Sequence, residues 1–95
     1  MHTFVIVDVE WDAHKAAQNL VKHCVDFVDA VSALEDELAM TVSDPDSEGE
    51  RRYVSIGSDA IGRVLVTVFT ERDALVRIIS SRLATRGERR RYEGE

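Results

Sequence analysis

The sequence predicts an α+β domain: an antiparallel sheet of four or five strands, with two N-terminal helices and a C-terminal helix packed on it. Three observations lead to this fold class. Two amphipathic stretches with helical spacing lie in the first 37 residues, and short stretches rich in β-branched residues follow them. The links between those later stretches are short and polar, which makes neighbouring strands antiparallel. The resulting order, β-α-α-β-β-β-β-α over a single domain of 95 residues, belongs to the α+β class.

The N-terminal half is expected to open with one strand and two helices. Residues 4–9 form a short stretch rich in valine and isoleucine, which is typical of a strand. Asp12 is a good N-cap for a helix that ends near His23. Asp26 is a good N-cap for a second helix, which the acidic residues that follow would end.

The C-terminal half is expected to form the rest of the sheet and the last helix. The four further strands are predicted at residues 38–42, 52–56, 63–69 and 75–79. The turn signals between them lie at residues 44–49, 57–62 and 71–73. Ser80 is a candidate N-cap for a polar helix from Arg82 to Tyr92. The tail at residues 86–95 is poorly suited to burial, so it is expected to be flexible until it meets a partner.

Composition excludes several classes of protein. Cys24 is the only cysteine, so an internal disulfide is impossible, and three scattered histidines give no zinc-ligand spacing. Neither a metal nor another cofactor is therefore expected. No apolar run approaches the roughly 20 residues that span a bilayer, and no signal peptide is recognisable. These features predict a cytoplasmic protein without a membrane partner.

Charge is distributed unevenly along the chain, whose formal net charge is -6. Residues 1–50 contain two lysines against twelve carboxylates, whereas residues 51–95 contain ten arginines against six carboxylates. Arginine suits bidentate contacts with phosphate, so the second half predicts an anion-binding surface. The alternative is a solvated, arginine-rich helix whose charges pair with glutamate.

Two blocks of residues carry a resemblance to a known family. The first reads WD-x-x-K-x-x-x-N-x-x-KH from Trp11 to His23, and the second reads RIIS-x-R-x-A-x-x-x-ER-x-x-Y from Arg77 to Tyr92. With both blocks in this order, the chain resembles the BrnT family of toxins over nearly its whole length. It departs from the family pattern at Cys24, where glycine is usual, and at Ser81, where alanine is usual.

The resemblance implies both a fold and a function. BrnT toxins are similar in fold to RelE-type and microbial ribonucleases, and they inhibit growth and translation by cutting RNA. The resemblance therefore implies a metal-independent endoribonuclease of a type II toxin-antitoxin system. It further implies a BrnA-like ribbon-helix-helix antitoxin, in a two-to-two complex that binds operator DNA only through the antitoxin.

RNA cleavage without a metal needs a group that takes the proton of the 2′-hydroxyl, cations that stabilise charge on the phosphate, and an acid for the leaving oxygen. His23 is the first candidate for proton transfer, Glu50 is the alternative base, and Lys22 is a candidate phosphate contact. Arg77 and Arg82 are expected to stabilise the phosphate. Further RNA contacts are expected from Arg52, Arg63, Arg86 and Arg89.

These candidates also have structural alternatives. Lys22 and His23 can simply complement the dipole at the end of their helix. Arg77 can instead form an ion pair with Glu50 or Glu88, which would be structural. The function has alternatives as well: a catalytically weak module that acts through antitoxin binding and operon repression, or a nucleic-acid-binding subunit that uses its arginine-rich tail without cutting.

Overall fold

The computed structural model describes residues 8–44 and 50–94, and its order of helices and strands is the predicted one. The elements are β1 (Val9–Glu10), α1 (Ala13–His23), α2 (Phe27–Leu34), β2 (Met40–Ser43), β3 (Arg52–Ser58), β4 (Val64–Arg72), β5 (Leu75–Leu83) and α3 (Arg86–Tyr92). Residues 4–7 of the predicted first strand and residues 45–49 of the predicted loop lie outside the described residues. The predicted α+β fold is confirmed.

The five strands form one sheet in the order β1-β5-β4-β3-β2. Strands β2 to β5 pair antiparallel with their neighbours, as short links require, whereas β1 pairs parallel with β5. The sheet is therefore mixed, and the N-terminal strand lies beside the last strand of the chain. The local sequence pattern did not predict which strand would pair with β1.

Helices α1 and α2 cover one face of the sheet. Phe27 and Ala30 of α2 pack against Ile78 of β5, and Val9 and Trp11 pack against the same cluster. The Trp11 and Phe27 rings meet edge to face, with 6.1 Å between their centroids. Burying these side chains supplies the main stabilisation of the fold, at roughly 25 cal/mol for each Å² of apolar surface removed from water.

The junction between α1 and α2 is fixed by two local features. Cys24 has a φ of 57° in the left-handed region, a conformation that favours glycine, and its N–H donates to the Leu20 carbonyl. The buried Asn19 side chain donates from Nδ2 to the carbonyls of Val25 and Ser81 and accepts from the Ser81 N–H. These bonds hold the end of α1 against β5.

The start of the last helix differs from the prediction, and Ser80 is not its N-cap. The predicted helix from Arg82 is wrong at its beginning because β5 continues to Leu83 and pairs with β4 as far as that residue. The Ser81 N–H donates to the Asn19 side chain, and the Ser81 hydroxyl bonds to the Thr67 hydroxyl. These bonds hold Ser81 in the strand. The cap is Thr85 instead, in a capping box with Glu88.

Helix α3 contacts β3 and is attached to the rest of the chain by polar bonds. Arg82 pairs with Glu88 at one end of the helix, and the Tyr92 hydroxyl donates to Asp36 at the other. Burial acts to raise the pKa of Asp36, but hydrogen bonds from the Ser58 N–H, from Tyr92 and from the Leu38 N–H together lower it. Residues 86–92 are thus ordered against the chain itself.

No helix in the described part of the chain is long and apolar enough to cross a membrane.

Candidate functional site

A line of polar side chains crosses the sheet on the face opposite α1 and α2. The strand register places Glu10 beside Arg77, Arg77 beside Thr70, and Thr70 beside Arg52. Ile78 points into the core, so the alternation of side chains along β5 turns Arg77 to the other face. We call Glu10, Arg77, Thr70 and Arg52 the polar row.

A β-bulge lies next to the polar row. Ser80 pairs with Val68 and Ile78 pairs with Phe69, so Ile79 is an extra residue in β5. A bulge bends the strand and changes the direction of the side chains near it, and bulges are over-represented beside active sites. The bulge therefore lies close to Arg77, where it affects the direction of the side chains beside the polar row.

Arg77 forms only one bond to its carboxylate partner. Its Nη1 lies 2.8 Å from Oε1 of Glu10, and the two side chains are 46% and 45% exposed. Within the described chain, the remaining Arg77 donors and the second Glu10 oxygen have no hydrogen-bond partner. An arginine has five N–H donors in a planar fork, so most of the binding capacity of Arg77 is available to a ligand.

Arg52, at the other end of the polar row, is also loosely held. Its Nη2 lies 3.3 Å from Oε1 of the exposed Glu50, and its buried Nε has no partner among the described residues. Adjacent strands are about 4.8 Å apart, so the backbones of Arg52 and Arg77 are separated by about 10 Å, with Thr70 between them. A phosphate group fits between two such side chains.

Arg82 is bound more completely by the chain than Arg77 is. Its Nη1 and Nη2 lie 2.8 and 3.0 Å from the two oxygens of Glu88. The side-chain bond from Arg82 is the main cause that lowers the pKa of Glu88 from 4.5 to about 2, and the same bond raises the pKa of Arg82. Arg82 therefore connects β5 to α3.

Arg63 is likewise engaged in structural bonds. Its Nε lies 2.8 Å from Asp59 and its Nη2 lies 3.0 Å from Asp29, so it joins the β3–β4 turn to α2. The Asp59 side chain is fully buried. Burial acts to raise the pKa of Asp59, but backbone and side-chain hydrogen bonds from Arg63 hold it below its usual range.

The other predicted residues lie away from the polar row. Lys22 and His23 occupy the last turn of α1, in the helix layer, and neither side chain forms a hydrogen bond or ion pair with another described residue. Arg86 and Arg89 are exposed on α3. The structure thus brings together Arg77, Arg52 and Glu50, and it does not bring Lys22 and His23 to them.

Glu10 and Thr70 join the site although sequence analysis did not select them as site residues. Glu10 directly precedes the Trp11 block, which was the one available signal. Its position beside Arg77 depends on the parallel pairing of β1 with β5, between residues 67 positions apart. No local pattern reports such a contact.

The polar row combines two kinds of chemistry on one exposed face. Its arginines can bind and stabilise a phosphate diester through charge-assisted hydrogen bonds. The carboxylates of Glu10 and Glu50 can accept a proton beside that phosphate. This is a suitable arrangement for a phosphate-containing polymer that lies across the strands.

Comparisons with known proteins identify the family and agree with the fold. The family described as "Ribonuclease toxin, BrnT, of type II toxin-antitoxin system" matches this chain over residues 11–88. The 1.1 Å crystal structure of the Brucella abortus ribonuclease toxin BrnT is similar in fold, with a TM-score of 0.63 and 23% sequence identity. That similarity covers 84% of this chain and 99% of the Brucella chain. Curated proteins gave no match.

Proposed function

We propose that this chain, which belongs to the BrnT family of ribonuclease toxins of type II toxin-antitoxin systems, cuts RNA in the cytoplasm as an endoribonuclease that needs no metal ion. Cutting RNA would inhibit translation and growth. The observation that carries the proposal is the polar row with the neighbouring Glu50, because together they place two incompletely bound arginines and two carboxylates on one exposed face.

In this proposal the scissile phosphate lies over Thr70, between Arg77 and Arg52. The free donors of both guanidinium groups bind its oxygens and stabilise the charge that builds up as the 2′-oxygen attacks. Removing one donor fixed in this way typically lowers a reaction rate by roughly 10²- to 10³-fold. Arg82 and Arg63 support the fold, because their donors are already bound to carboxylates.

Distance from the polar row separates the predicted candidates for proton transfer. A general base must come within about 2.6–3.2 Å of the proton that it removes. Among the predicted acid and base candidates, Glu50 lies beside the row and His23 lies in the helix layer, so the proposal does not depend on His23 or Lys22. Exposed Arg86 and Arg89 are proposed to contact phosphates farther along the RNA.

The partner that we propose is a BrnA-like ribbon-helix-helix antitoxin in a two-to-two complex, which binds operator DNA through the antitoxin. Membership of a type II toxin family supports the existence of an antitoxin. An acidic segment of such a partner would bind the exposed arginines that RNA needs and would thereby prevent cleavage.

The test is cleavage of a generic single-stranded RNA by purified, antitoxin-free protein in EDTA. We expect the parent to cut, and Arg77→Gln to cut about 100-fold more slowly or worse. Arg90→Gln is the matched control, because it removes the same charge from an exposed position on α3. All three proteins should unfold at similar temperatures, since an exposed ion pair contributes at most about 1 kcal/mol.

Intact RNA after incubation with the folded parent would contradict the proposal. One observation favours a second function in that case: both arginines of the polar row already face carboxylates, and the chain as a whole is acidic. Such a protein would act through antitoxin binding and operon repression. Growth arrest on expression without antitoxin separates the two functions, because only the nuclease predicts it.

A further inference from the structure

The backbone at Glu10 is held in place by the residues on both sides of it, although the Glu10 side chain is exposed. Val9 before it and Trp11 after it both pack against the core cluster around Phe27. Asp12 then caps α1, accepting from the N–H groups of His14 and Lys15. The Glu10 backbone is therefore held on both sides while its side chain remains exposed, as a preorganised functional group requires.

The two oxygens of Glu10 have different environments. Oε1 accepts from Arg77 at 2.8 Å, which orients the carboxylate, and Oε2 has no partner in the described part of the chain. A phosphate bound to the free donors of Arg77 would thus have an unoccupied carboxylate oxygen next to it. In-line attack needs the 2′-oxygen about 3–3.5 Å from phosphorus, so the acceptor of its proton must adjoin the phosphate site.

Other carboxylates near the sheet are less suitable acceptors. Both oxygens of Glu88 bind Arg82, while Asp36, Asp59 and Asp12 accept from backbone N–H groups. Glu50 is held by Arg52 only at 3.3 Å and is more exposed than Glu10. Glu10 combines an oriented side chain with a free oxygen.

We infer that Glu10 is the general base of the cleavage reaction and takes the proton of the ribose 2′-hydroxyl; this inference rests on the proposed ribonuclease function. The proton moves to Oε2 as the 2′-oxygen forms a bond to phosphorus. The bond between phosphorus and the 5′-oxygen breaks, and the 5′-oxygen takes a proton from solvent. The products are a 2′,3′-cyclic phosphate and a 5′-hydroxyl, and Glu10 returns its proton to water.

The variant Glu10→Gln tests this role because glutamine keeps the shape and the oxygen that accepts from Arg77. Only the negative charge and the proton-accepting oxygen are lost. We expect the single-turnover rate at saturating RNA to fall about 100-fold or more, which is within the usual range for a lost general base. Affinity for a 2′-deoxy oligonucleotide of the same sequence should stay equal or increase, since one charge that repels phosphate is gone. Glu71→Gln, an exposed carboxylate on β4, is the matched control and should cut like the parent.

The outcomes separate this inference from the proposed function. If the parent does not cut RNA, the ribonuclease proposal itself fails. If the parent cuts and Glu10→Gln cuts at a similar rate, the base is another group and only the inference about Glu10 is overturned. If Glu10→Gln loses rate and oligonucleotide affinity together, Glu10 positions Arg77 instead of accepting a proton, which also overturns it.

Discussion

At the scale of single residues, the role of an arginine depends on how many of its donors the chain already uses. Arg77 gives one bond to Glu10, whereas Arg82 gives two parallel bonds to Glu88. The first leaves most of a guanidinium for a ligand, and the second forms a closed structural pair. Both residues stand in the same sequence block, so their spacing alone does not distinguish them.

The Arg82–Glu88 pair should make stability depend on pH in a defined window. The pKa of Glu88 is about 2 in the folded chain, below its ordinary value of 4.5. A lowered carboxyl pKa stabilises the fold above the unfolded value, and this contribution is lost as pH falls from 4.5 through about 2. We expect Glu88→Gln to lose about 1 kcal/mol of unfolding free energy at neutral pH, because the pair is bidentate but partly exposed.

Urea unfolding of the parent and of Glu88→Gln checks this expectation at neutral pH and again near pH 3. The difference between the two proteins should shrink at the lower pH. Glu93→Gln, at an exposed position just after α3, is a suitable control. A difference that stays constant across this range would mean that the ionised pair contributes nothing to stability.

Residue types indicated which side chains could bind phosphate but not where those side chains lie in the fold. Arginine-rich composition correctly indicated cations on the sheet and on α3. Arg63 was proposed for RNA contact, yet it is committed to Asp59, a residue whose role depends on a turn that only the folded chain forms. Glu10 could not be selected because its neighbour Arg77 comes from the far end of the sequence.

At the scale of elements, backbone hydrogen bonds between strands outweigh a local helix-capping signal. Ser80 has the chemistry of an N-cap, but β5 gains backbone bonds to β4 as far as Leu83. The helix begins only where Thr85 and Glu88 form a capping box. The existence and order of the elements were predictable from hydrophobic periodicity. The β5–α3 boundary was not, because tertiary pairing decided it.

Substitutions at two glycines, Gly57 in β3 and Gly87 in α3, are expected to change stability in opposite directions. A Cβ at Gly57 would overlap the carbonyl oxygen of Ala33 in α2, so Gly57→Ala should cost about 2 kcal/mol or more. A Cβ at Gly87, in α3, meets nothing within 4 Å, so Gly87→Ala should gain roughly 0.5–1 kcal/mol from helix propensity. Urea midpoints measure both effects. A Gly57→Ala protein as stable as the parent would show that α2 does not lie as close to β3 as the structure places it.

At the scale of the whole molecule, charge is divided between the two halves of the chain. The acidic first half supplies β1, α1, α2 and β2, and the arginine-rich second half supplies β3, β4, β5 and α3. A protein of net charge -6 is repelled by RNA overall, so binding must come from a few local arginine contacts.

This division predicts a modest dependence of RNA affinity on salt. Each phosphate contact with a single strand contributes about 0.7 to the slope of log K against log salt concentration. Arg77→Gln should reduce the slope for the 2′-deoxy oligonucleotide by about that amount, and Arg90→Gln should leave it unchanged. Titrations at several salt concentrations give the slopes. An unchanged slope in Arg77→Gln would remove Arg77 from the phosphate contacts.

The parallel pairing of β1 with β5 also sets the moment at which the proposed nuclease can exist. Glu10 and Arg77 are 67 positions apart, and chains are synthesised from the N-terminus. A growing chain therefore displays Glu10 long before the strand that carries its arginine has been made. No complete polar row can form until the strand that carries Arg77 has been synthesised. Cleavage by the polar row, as proposed, would therefore begin only after β5 has been made and has paired with β1.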